Sequence, residues 1–247
     1  MASGRARQQG IHLEERHVTR GGTPVTDLWQ RDRACKLQPG EGLTDAAIAR
    51  RIQSDLQEQA ISNDASTVVL VEGLSDYYAL ETLAIRCGRN LGNEGVAIVP
   101  MGGASNIRRF LTLFGPAGRN VKLAGMCDER EADLFRRSLE QAGLGCISNP
   151  DHLERLGFFV CVHDLEDELI RSLGVARIEE VIESEGELAS FRQMQKSAFH
   201  RVRTHEQQLH RFFGTRSGRK YRYACLLARV LDLTAIPTPL ERVLAYI

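Results

Sequence analysis

Four short apolar runs constrain this chain more than any other feature. TVVLV (residues 67–71), GVAIV (95–99), VKLAGM (121–126) and FFVCV (158–162) are rich in β-branched residues. Stretches of helical length and periodicity separate them. Short apolar runs alternating with helical segments predict a parallel sheet covered by helices, with right-handed crossovers. The spacing places helices over 75–87, 106–114 and 129–142. NPDHLERLG (149–157) reads as a short capped helix, with Asn149 as cap, Pro150 in the first turn and Gly157 at the end. After HDLEDELIRSLG the strand pattern stops, and residues 175–247 read as helices.

Residues 1–42 carry MASGRARQQG, TRGGTP and QPGEG, which are polar, glycine-rich and without periodicity. They are expected to form a weakly ordered arm. Residues 43–62 form an expected amphipathic helix, with Thr44 as N-cap and Ile48, Ile52 and Leu56 at helical spacing. The expected divisions are therefore an arm (1–42), a helix (43–62), an α/β core (64–174) and a helical C-terminal extension (175–247). With 247 residues, 43% hydrophobic and 26% charged, the chain can bury a substantial core. Its formal net charge of zero gives no global argument for a polyanion or a membrane surface. The six cysteines show no zinc-ligand spacing, and no apolar run approaches ~18 residues. The expectation is a soluble, cytoplasmic, reduced protein without a membrane partner.

In a parallel α/β sheet, ligands bind beyond the carboxyl ends of the strands. Three of the four runs end there in acid. Glu72 follows the first, with Asp76 one turn on. Asp128 follows the third, then Glu129 and Glu131. Asp164 follows the fourth, then Glu166. The second run ends in Pro100–Met101–Gly102–Gly103, a turn suited to presenting backbone N–H groups to phosphate at a helix N-terminus. An acid after a strand is often only an N-cap. Several at one sheet edge repel each other, and a hard divalent cation relieves that cost. Between Arg192 and Arg222 the only acid is Glu206. This locally basic stretch, including Arg211, Arg216, Arg219 and Arg222, suits a phosphate backbone. The histidines within it lack metal-ligand spacing and are read as non-ligands.

These motifs resemble, in order, those of the Toprim domain. VVLVEGLSDYYAL resembles its opening strand–glutamate–glycine motif, VAIVPMGGASNIRRFL its second segment, and LAGMCDEREADLF its Asp-containing motif. DLEDELI and GTRSGRKYRYACLLA…IPTPL extend the likeness to the OLD-type (overcoming lysogenization defect) nucleases, over roughly residues 64–247. The resemblance implies a Rossmann-like sheet of about four strands and a Mg2+- or Mn2+-dependent endonuclease using two ions. By position, Glu72, Asp76, Asp128 and Glu166 become metal ligands, and Glu72 and Lys220 catalytic residues. Gly102 and Gly103 become the phosphate seat. The family's Asp-x-Asp is here Asp128-Glu129-Arg130, so Glu131 is the expected replacement ligand. The implied partner is nucleic acid, DNA rather than RNA. OLD nucleases also carry a P-loop ATPase, but no GxxxxGK[ST] exists in this chain, so ATP-driven gating needs a separate polypeptide. Two alternatives stay open: a Toprim-type nucleotidyl- or phosphoryl-transfer enzyme, and a non-catalytic nucleic-acid- or nucleotide-binding module, which Arg130 favours.

Overall fold

The computed structural model describes residues 44–216 and 218–247. The expected N-terminal arm lies outside them. Four parallel strands form one sheet in the order β2-β1-β3-β4: β1 Thr67–Val71, β2 Val96–Pro100, β3 Lys122–Asp128 and β4 Phe158–Cys161. Helices α1 (Asp45–Ser62), α2 (Leu74–Arg86), α3 (Ile107–Phe114), α4 (Ala132–Gln141) and α5 (Pro150–Arg155) precede or join the strands. Six more follow β4: α6 (Leu165–Ser184), α7 (Leu188–Gln195), α8 (Ala198–Arg201), α9 (His205–Phe213), α10 (Arg219–Val230) and α11 (Thr238–Tyr246). Thr44 caps α1 through the Ala47 N–H, and Asn149 caps α5 through that of His152. Both match the sequence reading.

All five residues of β1 are buried, as a central strand covered on both faces requires. Their side chains alternate between two cores. Val69 and Val71, with Met126 and Phe159, pack against α2, α6 and the later helices. Val68 and Leu70, with Val99 and Phe158, pack against α3 and α4. Each fully buried side chain of this size contributes about 1.5–3 kcal/mol. Gly125 sits where β3 is pinched between its neighbours. A Cβ there would lie 2.7 Å from both the Leu70 carbonyl oxygen and the Phe158 ring.

The C-terminal helices share the first core with the sheet instead of forming a separate body. Residue 174 marks a change in sequence pattern, not in packing: α6 runs through it with a kink at Gly174 (φ 73°, ψ 160°). Helix α10 packs along α2. The Arg86 guanidinium donates to the Ala228 and Leu231 carbonyls at 2.8 and 2.7 Å, satisfying the end of α10. This packing brings residue 220 to the carboxyl edge of the sheet.

Candidate metal centre

Glu72 leaves β1 with its main chain fixed. Its carbonyl oxygen accepts from both the Gly102 and Gly103 N–H groups, each at 2.9 Å. Those glycines adopt φ of 79° and 117°, and a Cβ on Gly102 would collide with the Gln53 amide of α1. The glycine turn therefore anchors Glu72. Its two N–H groups are spent on that carbonyl, which corrects the expectation that Gly102 and Gly103 seat a phosphate.

Glu72, Asp76, Asp128, Glu166 and Lys220 line one cavity of about 180 Å3. Asp76, in the first turn of α2, is 8% exposed, and its Oδ2 accepts the Gly73 N–H at 2.9 Å. Asp128 ends β3 at the cap position of a short 3-10 turn (Glu129–Glu131), yet its carboxylate accepts no hydrogen bond from that turn. Glu166, 2% exposed, lies 2.9 Å from Lys220 Nζ. Oε1 of Glu72 and Oε1 of Glu166 are buried without a hydrogen-bond donor. Such atoms are costly unless another group takes them up.

The cavity resists its own charge. Burial, then the neighbouring Glu166, pushes Asp76 up to about 7. Burial, then Glu72 and Asp76, pushes Asp128 up to about 8. Burial also raises Glu72, opposed by a hydrogen bond from the Asp128 N–H and reinforced by Glu131. At Glu166 burial outweighs the ion pair and raises the carboxyl. At Lys220 burial acts to lower the ammonium, but Glu166 foremost, with Asp76 and Asp164, holds it above the ordinary lysine value. Burial is the leading cause at each carboxyl, and repulsion from neighbouring acids adds to it. An all-oxygen donor set with orphaned buried oxygens fits a hard divalent ion.

Beside the cavity, Asp164 has two roles. Its Oδ1 caps α6 through the Asp167 N–H at 2.9 Å, and its Oδ2 lies 2.6 Å from His210 Nε2. That contact holds Asp164 below the usual carboxylate range against burial, and it raises His210. Among the described residues, one trio brings a donor atom from each member within 4.8 Å of the other two: Asp164, Glu166 and His210. The acids Glu72, Asp76 and Asp128 share the cavity but do not close that tightly. His210, read as a non-ligand, comes from α9, 46 residues after Asp164. No local spacing could signal that meeting. Glu131 does not line the cavity and acts on Glu72 through space, while Arg130 is exposed.

The basic stretch divides in two. Arg219 is 5% exposed. Its guanidinium pairs with Glu187 at 3.1 Å, donates to the Phe212 carbonyl and lies 4.0 Å from the centre of the Phe212 ring. Its charge is spent inside the fold, which corrects its expected contact with nucleic acid. Arg222 pairs with Glu185, and Arg216 lies 3.8 Å from Glu187. Arg211 is exposed and has no carboxylate partner within 4 Å among the described residues.

Residues 65–128 match the protein-family model described as overcoming lysogenization defect protein-like, TOPRIM domain. The fold is similar to the C-terminal region of the Xanthomonas campestris pv. campestris OLD protein. The TM-score is 0.58 at 24% identity, over 74% of this chain and 92% of that one. It is also similar to the C-terminal region of the Burkholderia pseudomallei OLD protein, with a TM-score of 0.56 at 21% identity, over 74% and 96%. These likenesses establish a Toprim, Rossmann-like fold with a helical C-terminal region. No curated protein matches the sequence. Among the described residues, no helix is long and apolar enough to cross a membrane.

Proposed function

We propose that this chain is a Mg2+- or Mn2+-dependent nuclease that cleaves or nicks DNA. The observation carrying this reading is the convergence of Glu72, Asp76, Asp128, Glu166 and Lys220 on one cavity at the carboxyl edge of the sheet. The match of residues 65–128 to a Toprim domain supports it. Glu72, Asp76, Asp128 and Glu166 would hold the metal, and Asp164 and His210 add donors that reach the same centre through Glu166. Two ions suit so many donors, and the imidazole favours Mn2+ over Mg2+ in that part of the site. Bound divalent ions supply Lewis acidity, lowering the pKa of water and offsetting charge on the phosphate.

The chain's own groups do the rest. Lys220 stays an ammonium throughout the physiological range, so it serves as a fixed positive charge toward the reacting phosphate, not as a base. Its ammonium lies 2.9 Å from Glu166, within the same cavity lining. Gly102 and Gly103 act through the main chain, keeping Glu72 at the strand end.

One observation favours a second reading, a DNA-binding module without turnover: Arg130 stands in the second acidic position of the Asp-x-Asp motif. Conversion of supercoiled plasmid to nicked circles, with Mg2+ and then Mn2+, separates the two. Nicking that EDTA and Asp128→Ala both abolish is expected. Tight DNA binding with no nicking under either metal would establish the second reading.

A further inference from the structure

Phe199 and Val202 are 63% and 88% exposed, the highest values for large hydrophobic residues among those described. A scattered exposed hydrophobe needs no explanation, but this pair sits on a fixed mount. The buried Gln208 of α9 donates to the His200 and Arg203 carbonyls at 2.9 and 3.1 Å and accepts from the Gln195 amide at 2.7 Å. The turn carrying Phe199 is thus tied to Gln208 at two points, and Gln208 is itself held by Gln195 of α7. The His200 ring stands edge-on to Phe199 at 5.1 Å, and the Arg203 guanidinium lies 4.6 Å from its ring centre.

The cations between residues 192 and 222 fall into two groups. Arg192, Arg216, Arg219, Lys220 and Arg222 are each paired with a carboxylate. No carboxylate among the described residues pairs with Lys196, Arg201, Arg203 or Arg211, although the exposed Glu206 lies in the same stretch of chain. An exposed aromatic ring on a tethered turn, in a stretch of chain where Lys196, Arg201 and Arg211 have no carboxylate partner among the described residues, matches the two halves of a single strand: base faces and phosphates.

We propose that Phe199 and its neighbours form a stacking platform for single-stranded nucleic acid, with Lys196, Arg201 and Arg211 on the backbone. The proposal rests on the nucleic-acid reading above and names the strand state that the site takes. Helix α9 starts beside this turn and delivers His210 to Asp164. From residue 205 to 210 the axial rise is about 8 Å at ~1.5 Å per residue, roughly two base steps of ~3.4 Å. Helix α9 thus spans roughly two base steps between its start, four residues after the end of the turn, and the His210 contact with Asp164.

The test is fluorescence anisotropy in EDTA with the full chain. The probes are a labelled oligothymidylate and a blunt duplex, each of about 20 nucleotides per strand. Phe199→Ala should weaken single-strand binding about tenfold and leave the duplex within about twofold, while Phe199→Trp retains binding. Arg201→Ala should weaken both probes and lower the salt slope by about one. An unchanged melting temperature for Phe199→Ala is expected from its exposure and confirms that the variant is folded. Equal loss on both probes overturns the proposal. So does unchanged single-strand affinity. No binding of either probe by wild type overturns the nucleic-acid reading as well. Phe199-dependent single-strand binding, with neither plasmid nor labelled single strand cleaved in Mg2+ or Mn2+, leaves this proposal standing and removes the nuclease reading.

Discussion

Asp128 ends its strand without capping the turn that follows, so nothing in the backbone explains its burial beside Glu72 and Asp76. The raised carboxyls give a signed prediction. A carboxyl whose folded pKa exceeds its ordinary value binds its proton more tightly when folded. Stability from that proton is present below the ordinary value of 3.8 and is lost as pH rises toward about 7 for Asp76 and about 8 for Asp128. A divalent ion must displace those protons, so its apparent affinity should rise by about tenfold per pH unit for each proton released. Melting curves at acid and mildly alkaline pH, in EDTA and in Mn2+, should show metal stabilisation that grows with pH. A pH-independent increment, or an undiminished one in Asp128→Ala, contradicts this assignment. Lys220 differs in kind. Lys220→Arg keeps a cation for Glu166 but replaces a compact charge with a fork. It should lower turnover at saturating DNA by about 10²-fold. If only the apparent affinity and its salt dependence change, Lys220 is a backbone contact. The acids were legible in the sequence because strand ends point to one edge. The fates of Arg219 and His210 were not, because each depends on a partner at the cap position of another helix: Glu187 for the first, Asp164 for the second.

At the scale of elements, the sheet was legible because β-branched runs buried on both faces leave a local signature. The boundaries shifted where local geometry intervened. The helix expected from residue 129 begins as a 3-10 turn and becomes α4 only at Ala132. The glycine pair after β2 was read as a ligand loop, because sequence shows the conformational freedom of glycine and not the acceptor its N–H groups will find. That acceptor makes the pair a positioning device. Gly102→Ala places a Cβ at φ 79° and against Gln53. The left-handed backbone alone costs roughly 1–2 kcal/mol. The variant should remain folded, and its metal-dependent stabilisation should fall because Glu72 moves with its carbonyl. A melting-temperature loss with unchanged metal response would make the turn purely structural.

At the scale of the whole molecule, the sheet and the C-terminal helices share one core, and the site draws on both. A fragment of residues 44–174 lacks α9, α10 and α11, whose Phe212, Tyr223 and Leu240 lie 0–1% exposed against that core. Urea unfolding of this fragment should lose the cooperative transition of the full chain. Where the chain is cut therefore matters. Gly186, exposed and at φ 69°, lies in the short turn between α6 and α7, the kind of place where a nick is tolerated. The piece before it holds Glu72, Asp76, Asp128, Asp164 and Glu166; the piece after it holds His210 and Lys220. The proposed site is thus divided between the two pieces, which suits a two-component device. Fused to two proteins of interest, the halves would report their encounter by bringing Lys220 and His210 back to the carboxylates they face in the intact chain.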